Sequence, residues 1–132
     1  MIDHISTYAT DYAATKRFYE RVLVPLGYGL QVERMLDSDA GCPAVRIGAF
    51  GPPGKPVLWI IESQEAATPR HVAFCAANRA SVDAFHAAGI ALGAEDFGEP
   101  GLRPVYHEHY YGAFLIDPDG NNVEAVCHRA NG

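Results

Sequence analysis

Two stretches of this chain, 67 residues apart, carry the same pattern: HISTYATD from His4 and HVAFCAAN from His71. At that offset Phe18 falls on Phe85, and a one-residue gap brings Leu26-Gly27 onto Leu92-Gly93. Any two strand–helix units share apolar periodicity. Here a histidine, an alanine, a capping residue, a phenylalanine and a Leu-Gly pair keep register as well. A repeat of this length means that one supersecondary unit is used twice. With 132 residues in all, the chain has room for one domain of two modules, about 1–65 and about 69–132.

Both modules read alike. The first opens with a strand over 2–9 and a helix over 11–26, which Asp11 caps by accepting from unpaired first-turn N–H groups. Phe18, Val22 and Leu26 form its apolar stripe, and Pro25 and Gly27 stop it. Strands are expected over 28–35, 44–50 and 56–61, the last two joined through Gly51-Pro52-Pro53-Gly54. The second module repeats this with a strand over 70–77 and a helix over 79–92 capped by Asn78. Strand-like pieces follow over 94–97 and 105–111, separated by GEPGLRP (98–104), which reads as a loop. The module closes on a hairpin, with strands over 112–116 and 122–127 around Asp117-Pro118-Asp119-Gly120. Pro after Asp favours entry into a turn, and Gly120 supplies the positive φ of a tight reversal.

Alternation then sorts side chains by face. His4, Ser6 and Tyr8 share one face of the first strand. His71, Ala73 and Cys75 share the corresponding face of the fifth, opposite Val72, Phe74 and Ala76, which suit packing on a helix. Both histidines thus point to the open side of the sheet. Glu124 is a lone acid among Val123, Ala125 and Val126, so it either faces water or has a cationic or metal partner. Two histidines and a carboxylate that leave coordination positions open suit zinc, nickel, manganese or iron(II). Two hydrogen-bonded strand histidines and a solvated edge glutamate are the other possibility.

Further residues could carry chemistry. His107, His109 and Tyr111 alternate onto one face of YHEHYYG, with Tyr106, Glu108 and Tyr110 on the other. His107 is a candidate general acid or base, because imidazole titrates near neutrality; a partly exposed rim or dimer contact is the alternative. Arg103 could hold an anionic substrate group or be a surface arginine. Cys75 lies on the cavity face as a ligand contact or a small buried filler. Trp59 is either a wall for the ligand or core. His128 shares the face of Glu124, but four residues of strand put them ~13 Å apart, too far to bind one ion.

Composition narrows the partners. Net charge is −6 and no Lys/Arg cluster exceeds two neighbours, which argues against a nucleic-acid partner bound through its phosphate backbone. No apolar run approaches the ~20 residues that span a bilayer, and MIDHISTYATDY is not a secretory signal. Three cysteines, Cys42, Cys75 and Cys127, have no metal-knuckle spacing. Reduced thiols in a cytoplasmic protein are expected.

The βαβββ repeat, a histidine opening each half and DPDGNNVEAV near the end resemble the vicinal oxygen chelate superfamily, which includes glyoxalase I, extradiol dioxygenases, and fosfomycin- and bleomycin-resistance proteins. The resemblance covers nearly the whole chain. It implies an α+β fold in which two βαβββ modules form curved, half-barrel mixed sheets around a central cavity, commonly in a homodimer. It also puts His4, His71 and Glu124 on the metal-ligand positions. The implied activity is a metal-dependent, glyoxalase-like lyase, isomerase or transferase acting on a small substrate that chelates through vicinal oxygens, with Glu124 or His107 moving the proton. A non-catalytic drug- or metabolite-binding protein, gripping its ligand between Tyr8, Trp59, Tyr110 and Phe114, is the alternative. Two positions depart from the pattern. Trp59 stands where glyoxalase I has a fourth ligand, a glutamate, and Glu62 alternates to the opposite face. Phe114 stands where extradiol dioxygenases have a tyrosine.

Overall fold

The computed structural model describes residues 1–37 and 44–132. Cys42 lies outside the described residues. The first module runs β1 (Ile5–Ala9), α1 (Tyr12–Val22), a 3₁₀ turn (Val24–Leu26), β2 (Gly29–Leu36), β3 (Val45–Gly51) and β4 (Leu58–Glu62). The second runs β5 (His71–Cys75), α2 (Arg79–Ala91), β6 (Glu95–Leu102), β7 (Tyr111–Ile116) and β8 (Asn122–Cys127). Each module builds a four-stranded mixed sheet, in the orders β1-β4-β3-β2 and β5-β8-β7-β6. Among the described residues the parallel pair in each joins the opening strand to the last one, β1 to β4 and β5 to β8, and the other pairs are antiparallel. Neither sheet closes on itself.

Local chemistry explains the boundaries. Asp11 accepts from the Ala14 N–H and Asn78 from the Ser81 N–H, so both helices carry the expected side-chain cap. The α-helix over 11–26 is shorter than expected: Pro25 lacks the N–H that would continue the ladder, and the last turn tightens to 3₁₀ before Gly27 at φ 83°. The strand predicted from residue 2 begins at Ile5, leaving His4 just outside the ladder.

Two corrections fall on the second module. GEPGLRP is not a loop as a whole, since Gly98 to Leu102 belong to β6, which pairs with β7 through two register shifts. Residues 105–110 are not a strand. Pro104 cannot donate to a ladder, and the chain turns there, with Tyr106 N–H donating to the Arg103 carbonyl (2.9 Å) and Tyr110 N–H to that of His107 (3.2 Å).

One core serves both modules. Phe18, Tyr19, Val22, Leu23, Phe50, Leu58 and Ile60 merge with Phe74, Val82, Phe85, Leu115 and Val123 into one buried cluster. Each such side chain contributes roughly 1.5–3 kcal/mol on burial. The turn between β7 and β8 adds a polar latch. Asp117, 4% exposed, accepts from the Tyr19 hydroxyl (2.7 Å) and from Asn121 Nδ2 (2.8 Å). Asp119 accepts from Thr10 N–H, Thr10 Oγ1 and Thr15 Oγ1. The second module thereby holds the end of β1 and the first turns of α1. Burial, with Asp117 beside it, pushes the Tyr19 phenol well above its ordinary range. Among the described residues no helix is long and apolar enough to cross a membrane.

Candidate metal and substrate site

Val123, Ala125 and Cys127 of β8 point into the core, so Glu124 between them points to the face turned away from α2. It is nonetheless only 2% exposed. Its cover comes from two directions. His71, at the start of β5, brings Nε2 to 3.1 Å from Glu124 Oε1. Tyr110, arriving from the turn segment, donates its hydroxyl to Glu124 Oε2. Gly112 makes the space: a Cβ there would stand 3.1 Å from the Tyr110 ring and 3.2 Å from Glu124 Oε2. Burial, then the Glu124 hydrogen bond, pushes the Tyr110 phenol above its usual range, so it keeps its proton at neutral pH.

The His71 ring is chemically unbalanced. Its Nδ1 faces the Asn122 carbonyl oxygen at 3.1 Å, a group that can only accept, so Nδ1 carries a proton. In the neutral imidazole Nε2 then presents a lone pair to a carboxylate oxygen. That contact needs a second proton or a cation between the two atoms. A ring N–H fixed by a carbonyl, with the other nitrogen beside a carboxylate, is also how metal-binding histidines are held. His71 and Glu124 therefore fit a divalent metal as two of its ligands.

His4 does not join them within one chain. Among the described residues no group of three or more His, Cys, Asp or Glu is gathered to hold an ion. His4 keeps 55% of its side chain exposed and bonds only Asp3, with Nδ1 2.6 Å from Oδ1. Tyr8, 48% exposed, and the partly buried Trp59 lie on the first sheet, on adjoining strands β1 and β4. Glu62 is turned the other way, paired with Arg46 at 2.7 Å.

Around Glu124 an aromatic rim forms. Phe114, its cross-strand partner, stacks on His71 with ring centroids 6.2 Å apart, and the Arg103 guanidinium lies 5.5 Å from the Phe114 centroid. His107 and Tyr110 were expected on opposite faces of a strand. In the turn they touch, with centroids 5.5 Å apart. His107 Nδ1 accepts the His109 N–H (3.1 Å), so its Nε2 carries the proton and donates to His128 Nδ1 at 2.8 Å. Both nitrogens of His107 are engaged. His109 lies beside Glu108 instead (3.2 Å), and Tyr111 donates to Asp83 (2.7 Å). Cys75 is exposed on the open face rather than a buried filler, and Cys75 and Cys127 are free thiols. Among the described residues, concavities of about 480, 370 and 220 Å³ are lined by none of His71, Arg103, Tyr110, Phe114 or Glu124, and Tyr8 lines the smallest. The Glu124 site lies on an open sheet face.

Sequence reasoning paired His71 with Glu124 but missed Gly112 and the Tyr110 hydroxyl. It also read Asp117 and Asp119 as turn formers only, although their acceptors tie the modules together.

The model of the glyoxalase/bleomycin resistance protein/dioxygenase superfamily matches residues 1–125. The chain is similar to a glyoxalase/bleomycin resistance protein from Albidiferax ferrireducens T118, with 27% identity, a TM-score of 0.69, and coverage of 96% of this chain and 98% of that one. A glyoxylase/bleomycin resistance protein/dioxygenase domain from Frankia sp. EAN1pec shares the fold at 16% identity and TM-score 0.73, over 100% of this chain and 94% of that one. Lactoylglutathione lyase from Agrobacterium tumefaciens does so at 23% identity and TM-score 0.62, over 96% and 92%. No curated protein matches the chain.

Proposed function

The chain belongs to the glyoxalase/bleomycin resistance protein/dioxygenase superfamily, and from that premise we propose that it is a metal-dependent, glyoxalase-like enzyme acting on a small substrate with vicinal oxygens. One observation carries the reading. A buried carboxylate oxygen lies 3.1 Å from Nε2 of a histidine whose Nδ1 is committed as a donor. His71 and Glu124 hold the metal in this reading, and His4 of a second copy completes the set, since His4 is exposed and apart from the pair in its own chain. A divalent ion held there supplies Lewis-acid polarisation of the substrate's oxygens.

The chain's own residues do the rest. The Asn122 carbonyl fixes the His71 ring. Tyr110 holds a proton against Glu124 Oε2 and shields it from water. In this reading Glu124, the carboxylate at the site, moves the substrate proton, and His107, bonded to His128 and to the His109 N–H, stands behind Tyr110. His107 and His128 buttress Tyr110 from outside, with ring centroids 5.5 and 5.3 Å from it. The free thiols of Cys75 and Cys127 support a reducing, cytoplasmic setting.

The test is metal content. Protein purified without a metal-binding tag is expected to hold close to one divalent ion per chain, and His71→Ala or Glu124→Ala to lose it while keeping the wild-type far-UV circular dichroism. Failure of folded wild type to bind added nickel, zinc, manganese or iron(II) sinks the proposal. That outcome favours a non-catalytic binder, for which the exposed Tyr8 and the partly buried Trp59 offer a stacking surface.

A further inference from the structure

Strand β6 departs from a regular ladder twice, between Asp96 and Gly98 and between Gly98 and Gly101. Both irregularities bring a glycine against the same side chain. A Cβ on Gly98 would stand 2.8 Å from the Phe114 ring and 3.3 Å from Arg103 Nη2, and one on Gly101 would stand 3.1 Å from Arg103 Nη1. The two bare glycines therefore open a slot in which the guanidinium lies against Phe114. The slot is braced at its root. Arg103 N–H donates to the Tyr110 carbonyl (2.7 Å), and the Arg103 carbonyl accepts from Tyr106 N–H (2.9 Å). Nη2 donates to the Glu99 carbonyl at 2.6 Å, a neutral acceptor that leaves the charge uncompensated. Among the described residues no carboxylate oxygen comes within 4.0 Å of the guanidinium.

Unpaired arginines on a protein surface are ordinary; this one is half-buried, stacked and pre-oriented. It is also one ring away from the metal site, because the Phe114 ring it covers stacks on His71 and belongs to the residue paired with Glu124. A planar guanidinium held in one orientation recognises a carboxylate or phosphate through two parallel N–H groups. We propose that Arg103 is the anchor for an anionic group at the far end of the substrate. The substrate class becomes a small molecule with vicinal oxygens at one end and a carboxylate, phosphate or phosphonate at the other. This rests on the metal-dependent reading above.

The test is calorimetric titration of nickel-loaded protein with matched probes. 2-Oxoglutarate and 2-oxoadipate carry the chelating end and an acidic tail. 2-Oxopentanoate and 2-oxohexanoate are the same chains without the tail charge, and 2-oxo-4-phosphonobutanoate replaces the tail carboxylate by a phosphonate. At least one acid-tailed probe is expected to bind roughly ten- to hundredfold tighter than its neutral-tailed partner, the range of a hydrogen-bonded charge. Whether the carboxylate or the phosphonate gains more tells which group the slot prefers. Arg103→Gln is expected to erase the gain of the acid-tailed probe over its neutral-tailed partner. Should Arg103→Gln weaken every probe, Arg103→Lys decides: partial return of the tail preference supports the anchor, and none overturns it. Equal affinity for the two tails in wild type, or a preference that survives Arg103→Gln, also overturns it. Protein that takes up none of nickel, zinc, manganese or iron(II) removes the metal reading and the anchor together, whereas metal bound without tail preference removes the anchor alone.

Discussion

The two oxygens of Glu124 have different neighbours, and the difference makes them separable by mutation. Oε1 lies beside His71 and Oε2 accepts from Tyr110. Tyr110→Phe removes one donor from a carboxylate that is 2% exposed, and leaving such a group short of a partner costs about 1–3 kcal/mol. Chemical denaturation of the metal-free protein is expected to show that loss. Metal affinity in the same variant is expected to fall about 10–100-fold, the usual effect of removing a residue that steadies a ligand; unchanged affinity would mean that Tyr110 is only a lid. The pairing of His71 with Glu124 was legible because period-two alternation is rigid on both strands. Tyr110 was named only as a ligand contact; its bond to Glu124 was not legible, because that approach depends on turns at Pro104 and His107 that carry no alternation. Nor was Gly112, whose role is the absence of a side chain.

Among the elements, α2 and β7 meet through a close approach at Gly89. A Cβ there would collide with the Leu115 side chain, and Leu115 is 0% exposed, with no space to turn into. Gly89→Ala is expected to destabilise by about 1–3 kcal/mol despite the better helix propensity of alanine. Equilibrium unfolding in urea reads this directly, and a stabilised variant would refute the close packing. In the first module, hydrogen bonding to Arg46 lowers the pKa of Glu62, and hydrogen bonding to Lys16 and then Tyr12 lowers that of Glu33. A carboxyl with a depressed folded-state pKa contributes stability above its unfolded pKa, and that contribution disappears as pH falls through the folded one. Glu62→Gln is therefore expected to melt below wild type at neutral pH, with the two melting curves converging below the ordinary carboxylate range. A gap that persists in acid would assign the effect to packing. Element types and helix caps were legible from Asp11, Asn78, Pro25 and Gly27, where one residue's chemistry decides the backbone. β6 was not, because its two bulges are set by pairing with β7 and by the Arg103 slot.

At the scale of the whole molecule, the metal-dependent proposal gives each chain two incomplete halves of a site: His4 on the first module, His71 with Glu124 on the second. If sites form between copies, His4→Ala and His71→Ala chains are each metal-free alone but share their defects when mixed. One of the two sites in the mixed dimer then has both wild-type histidines. Refolding the two variants together is expected to restore up to one metal per mixed dimer, measured by elemental analysis; no recovery would overturn a site shared between copies. The sequence could not decide this, because a repeat fixes what each half contains and not which halves meet. The polar latch bears on the same point. The turn of the second module holds the first through Asp117 and Asp119, whereas the corresponding turn of the first is Gly51-Pro52-Pro53-Gly54, without a carboxylate. Among the described residues the turn of the first module makes no such bond to the second. Two halves that began alike have thus become unequal parts, one clasp and one eyelet. A chain built from two first modules would have nothing to close with, and one built from two second modules would lack Tyr19, Thr10 and Thr15 to close upon.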